Sequence, residues 1–65
     1  MAWLAVDEDG EEVKFLIKPH RHFNGIIWLW SIRGRGIREG LPSGSIEKLI
    51  EKKLTWHDKP VEIPD

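Results

Sequence analysis

A chain of 65 residues holds one small domain, expected to span residues 1–65, and buries only about 60% of the surface that its unfolded form exposes. It has no cysteine, which excludes disulfides, thiolate zinc sites and thiol chemistry and points to a reducing, cytoplasmic compartment. The net charge is only −1 but is unevenly placed: residues 1–17 carry −4, residues 18–38 carry +5 with no acid among them, and residues 39–65 carry −2.

The apolar opening Ala2 to Val6 is far shorter than a signal-peptide core or the ~20 residues of a membrane helix, so a soluble protein with no membrane partner is expected. Trp3 to Val6 favours a strand. Asp7-Glu8-Asp9-Gly10 follows with acidic turn formers and a glycine able to take positive φ. The returning Glu12 to Ile17 alternates, with Val13, Phe15 and Ile17 on one side and Glu12 and Lys14 on the other, which predicts a half-buried second strand. Lys18-Pro19 ends it, and His20 to Gly25 reads as a loop closed by an Asn-Gly turn.

Ile26-Ile27-Trp28-Leu29-Trp30-Ser31-Ile32 is the longest apolar run and reads as the central strand. Ile26, Trp28, Trp30 and Ile32 fall on one side and Ile27, Leu29 and Ser31 on the other, so both faces ask to be covered. Arg33-Gly34-Arg35-Gly36 suits a tight reversal, and Ile37 to Leu41 a short fourth strand. Pro42-Ser43-Gly44 introduces a helix of about ten residues with an apolar stripe of Ile46, Leu49, Ile50 and Leu54 and with Ser43 as the expected N-cap. So short a helix does not persist alone in water, and its stripe is expected to dock on a face of the central strand. After a turn at His57 to Pro60, Val61-Glu62-Ile63 alternates as a further edge strand. The fold class is therefore α+β: a small antiparallel β-sheet of three to four strands with one α-helix packed on a face, in the order β-β-β-(β)-α-(β).

The opening Trp3-Leu4-Ala5-Val6-Asp7-x-Asp9-Gly10 and the closing segments Leu41-Pro42-x-Gly44-Ser45-Ile46-Glu47-Lys48-Leu49-Ile50 and Leu54-Thr55-Trp56-x-Asp58-x-Pro60-Val61-Glu62 carry a resemblance. They resemble a group of very short proteins of bacteriophages, prophages and gut bacteria that has no established activity. The resemblance covers both ends and most of the chain outside residues 18–40. It implies a phage or mobile-element setting, in which small proteins often bind and modulate something larger, and it transfers no catalytic residue.

No catalytic or cofactor constellation emerges. The acids at residues 7–12 have no second group placed to form an acid–base pair, Ser31, Ser43 and Ser45 lack a nucleophile elbow, and Gly34-x-Gly36 is not followed by the helix of a phosphate cradle. His20-x-His22, with His57 or Asp58, lacks a specific metal-ligand spacing, and no metal or cofactor is expected. The expected function is a non-enzymatic binding or modulating protein whose partner is another protein or a second copy of itself, contacted through Ile27, Leu29 and Trp56. The alternative is nucleic-acid or anion contact through Lys18, Arg21, Arg33, Arg35 and Arg38, whose guanidinium groups suit phosphates.

Overall fold

In the computed structural model, which describes residues 2–32 and 38–64, six strands and one short helix follow one another along the chain. They are β1 (Ala2–Val6), β2 (Glu12–Phe15), β3 (His20–Phe23), β4 (Trp28–Ser31), β5 (Arg38–Leu41), α1 (Ser45–Ile50) and β6 (Val61–Ile63). The α+β class holds, with two antiparallel sheets: four strands in the order β5-β2-β1-β6, and the two-stranded hairpin β3-β4.

The first hairpin forms as its residue types dictate. Gly10 takes a φ of 88° and donates its N–H to Asp7 C=O (2.9 Å), Asp7 N–H reaches Glu11 C=O (2.9 Å), and Asp9 Oδ1 accepts the Glu11 N–H (3.0 Å). In the resulting register Trp3 lies opposite Phe15 and Ala5 opposite Val13, all on one face, while Leu4 and Val6 point to the other. Both faces are covered. On one, Trp30 packs with Ala5, Val13 and Phe15, flanked by Trp3 and Ile32. On the other, Ile46 packs with Leu4 and Val6, flanked by Leu41, Ile50, Leu54 and Ile63. Helix and tail, four-stranded sheet and hairpin thus make three layers, and complete burial of Leu4, Val13 and Phe15 contributes about 1.5–3 kcal/mol each.

The sandwiched strand is therefore β1 and not the Trp28-containing segment. Residues 26–32 do extend, but β4 belongs to an outer hairpin in which Trp30 alone is buried. The reason is size as much as hydrophobicity: β1 is apolar on both sides, and its small Ala5 leaves room for an indole to descend onto the sheet. The helix correspondingly docks on Leu4 and Val6, on the opposite side of the sheet from Trp30.

Three further expectations change. Residues His20–Phe23 form a strand where a loop was expected, because they pair residue for residue with β4. The helix is six residues long and ends at Ile50, since Glu51 turns left-handed (φ 57°) while donating its N–H to Glu47 C=O (2.8 Å). Leu49 consequently faces solvent, and Ile46, Ile50 and Leu54 alone carry the stripe. The N-cap is Gly44, not Ser43, and its role passes to a distant residue: the Glu12 carboxylate of β2 accepts the N–H groups of Gly44 (2.6 Å) and Ile46 (2.7 Å). The expected Arg33-Gly34-Arg35-Gly36 reversal lies outside the described residues.

All four prolines adjoin strands at a sheet edge. Pro19 precedes β3, Pro42 follows β5, and Pro60 and Pro64 bracket β6, where a residue without an N–H limits how far an exposed edge can recruit another chain.

A left-handed non-glycine residue at a helix end is strained, so Glu51→Gly is expected to stabilise the fold by about 0.5–1 kcal/mol, read as a higher urea midpoint at unchanged slope.

Candidate functional site: a hairpin anchored along one strand

The β3–β4 hairpin carries Arg21, Ile27 and Leu29 of the candidate residues, and its two strands differ. β4 is tied to the first hairpin along its outer edge, from Trp28 to Trp30. Trp30 N–H donates to Asp7 Oδ1 (2.9 Å), Trp28 N–H donates to Glu8 Oε1 (3.0 Å), and Glu8 N–H donates to Trp28 C=O (3.0 Å). Arg38 completes the tie: Nη1 donates to Trp30 C=O (2.8 Å), while Nη2 bridges Asp7 Oδ2 and Glu11 Oε2 (2.8 Å to the latter). Asp7 is only 2% exposed, and a guanidinium and a backbone N–H meet its carboxylate in the interior. Burial alone would lower the pKa of Arg38, but hydrogen bonds and charge from Asp7 and Glu11 more than reverse this and hold it above the ordinary value.

Arg21 secures the inner face of β3. Its guanidinium lies between two indoles, 4.8 Å from the Trp30 ring centre and 5.1 Å from that of Trp56, and Nη2 donates to Trp56 C=O (2.5 Å). The Trp56 ring also meets His57 at 4.3 Å. A turn positions it: the Asp58 carboxylate accepts the Thr55 N–H (2.8 Å) and hydroxyl (3.3 Å), and Asp58 N–H returns to Thr55 C=O (3.0 Å). The backbone bond from Thr55 is the main cause that holds the Asp58 carboxyl below the usual carboxylate range.

Among the described residues no such tie reaches the connection at residues 24–27. Asn24 Oδ1 accepts the N–H groups of Ile26 and Ile27 (both 2.9 Å), and Gly25 (φ 98°) occupies the first central position of a two-residue connection. Asn24 thus stands before the turn and not in its left-handed centre. Next to the connection, Phe23 and Trp28 pair across the strands with ring centres 5.2 Å apart and remain 48% and 42% exposed, and Ile26 in the connection is 84% exposed.

The expected phosphate-contacting residues do not form one open patch among the described residues. Arg21 and Arg38 converge on Trp30, one on its ring and one on its carbonyl, as internal ties. Lys18 is exposed, with Nζ 5.6 Å from the Trp3 ring centre, and Arg33 and Arg35 lie outside the described residues. Of the expected interface residues, Ile27 and Leu29 are half-buried on the hairpin, and Trp56 is half-buried over Arg21. Phe23, Ile26 and Trp28 were not singled out from the sequence as a contact surface. The Asn24-Gly25 turn was the available signal, because residues flanking a hairpin tip lie farthest from the core.

A cavity of about 330 Å³ beside the helix start is lined by Glu12, Gly44, Ile46 and Leu54 among others, but the Glu12 carboxylate there already serves the helix. Among the described residues no group of three or more His, Asp or Glu side chains is placed to hold a metal ion, and no helix is long and apolar enough to cross a membrane. Comparison with protein-family models, curated proteins and solved structures finds no match for the chain.

Removing Arg38 leaves the Asp7 charge buried, so Arg38→Met is expected to cost about 2–3 kcal/mol in urea unfolding, below the full range for breaking a buried pair because the guanidinium is partly exposed. Glu11→Gln, at the exposed arm of the same network, should cost under about 0.5 kcal/mol. Because the folded Asp58 carboxyl has a lowered pKa, its contribution is present above the unfolded value and is lost as pH falls through the folded one. Acidification below about pH 4 should therefore loosen the 55–58 turn, read as coupled shifts of the Thr55 amide and the Trp56 indole resonances.

Proposed function

We propose that the chain is a non-enzymatic binding or modulating protein that presents the connecting end of its β3–β4 hairpin to a protein partner, in the phage or mobile-element setting implied by the resemblance of its terminal segments. The observation that carries this reading is the exposure of Phe23, Ile26 and Trp28 in a molecule that has already filled both faces of its main sheet. The half-buried Ile27 and Leu29 adjoin this end on the other face of the strand. Nucleic-acid contact through residues 18–38 is the second reading, and the excess of five basic residues there supports it. Against it stands the prior engagement of Arg21 and Arg38 by Trp56, Asp7 and Glu11.

Capture of partners from the cells that carry the gene, at low and at high salt, separates the two readings. An apolar contact should survive high salt and be lost in Ile26→Asp, a change expected to alter stability by less than about 0.5 kcal/mol because the side chain is 84% exposed. Recovery of nucleic acid that falls away steeply with salt, unaffected by Ile26→Asp, would replace the protein-partner reading with the nucleic-acid one.

A further inference from the structure

Hairpin geometry dictates where the backbone groups of β3 point. Asn24 N–H donates to Ile27 C=O (3.2 Å), so these two form a hydrogen-bonded pair, and the alternation of an antiparallel ladder makes His22–Leu29 and His20–Ser31 the next such pairs. The N–H and C=O of Arg21 and Phe23 therefore face away from β4. The equivalent outward groups of β4, on Trp28 and Trp30, are closed by Asp7, Glu8 and Arg38. Those of Arg21 and Phe23 meet no hydrogen-bonding partner among the described residues. Of the other open edges, β6 is three residues between two prolines and β5 runs directly into Pro42, while Pro19 stands just before β3 and leaves its outward groups at Arg21 and Phe23 untouched.

We propose that a second copy of this chain pairs with this edge, β3 against β3 in antiparallel fashion about a twofold axis passing at His22. The inference rests on the reading of the hairpin as a binding element and places a second copy at its β3 edge, apart from the contact made through Ile26. What selects a second copy is self-complementarity. Only residues with outward groups can form hydrogen-bonded pairs, so Arg21 aligns with the partner's Phe23 and Phe23 with the partner's Arg21, giving four backbone hydrogen bonds. Arg21 and Phe23 lie on the same side of the strand, so each phenyl ring comes beside the stem of an Arg21 side chain whose guanidinium stays between Trp30 and Trp56. A twofold axis at Arg21 would instead set two guanidinium groups opposite each other, and like charges directly opposed are unfavourable. The strand contains no lysine, acid or proline to prevent such pairing, and pairing would cover Phe23, now 48% exposed. Contact confined to one short edge is small, which makes the dimer a reversible one.

Sedimentation equilibrium of the full chain from micromolar to millimolar concentration, with amide exchange in parallel, tests this. The expected result is a mass rising toward twice the 7.6 kDa chain, with the Arg21 and Phe23 amides becoming protected as concentration rises while those of His20 and His22 are protected throughout. Phe23→Pro removes an outward N–H that the internal ladder does not use and should raise the dissociation constant by about tenfold or more, whereas Phe23→Leu should change it less. Ile26→Asp should dimerise as the wild type does, because Ile26 lies in the connection beyond β3, so a failure here is distinguishable from a failure of partner capture. A chain that stays single into the millimolar range overturns the proposal. So does a dimer whose Arg21 and Phe23 amides stay unprotected, or one that persists undiminished in folded Phe23→Pro.

Discussion

The buried Asp7 carboxylate beneath Trp30 is the contact on which the layers depend. Trp30 is 6% exposed and sits at the edge of a two-stranded sheet, so without an acceptor its N–H would be buried and unpaired. Asp7 supplies the acceptor, but only as a charge that itself needs compensation, and Arg38 provides it from β5 while also donating to Trp30 C=O. One residue from the first turn, one from the hairpin and one from the sheet's edge strand thus satisfy one another, and removing any one leaves a buried polar group in debt to the other two.

That knot also explains why a two-stranded hairpin can be ordered here at all. Isolated hairpins are marginal in water, and this one persists because β4 rests its indole on Ala5, Val13 and Phe15 and closes its outer edge on acidic side chains. Apolar packing is concentrated at Trp30, while Trp28, beside the connection, is held to Glu8 through its backbone alone. The hairpin is thus anchored along β4 and leaves the outward backbone edge of β3 and the connection without such ties among the described residues. An element of this kind offers a surface for contact without placing the core at risk.

Much of the fold could be read from local signals. The Asp7 to Gly10 turn, the alternation of Val13 and Phe15, the helix beginning near Ile46 and the strand at Val61 to Ile63 all follow from residue type and spacing, and the structure has them. The layer assignment could not be read this way. The apolar run from Ile26 to Ile32 looks like a core strand because hydrophobicity ranks it first, whereas position in the core was decided by how many neighbours a strand acquires. β1 gains β2 and β6 and lies beneath both covering layers. Long-range polar contacts were equally hidden. Nothing local shows that Glu12 caps a helix 32 residues away, or that the basic residues Arg21 and Arg38 serve Trp56 and Asp7. The candidate site was legible as a basic and aromatic region, but which of its side chains are already occupied depends on tertiary structure.

The three apolar residues at the hairpin's end differ in what their exposure signifies. Phe23 and Trp28 face each other across a non-hydrogen-bonded pair, where side chains approach most closely, and an aromatic cross-strand pair contributes roughly 0.2–1 kcal/mol to a sheet that has little else at this end. Their presence is therefore accounted for in part by the hairpin's own stability, whatever else they contact. Ile26 has no such account. It occupies the second central position of a two-residue connection, where a polar residue or glycine would serve the turn as well, and it is the most exposed large apolar side chain among the described residues. A β-branched side chain held in water at the outermost point of the hairpin contributes nothing visible to folding, so of the three it is the one whose presence bears most directly on contact with something else.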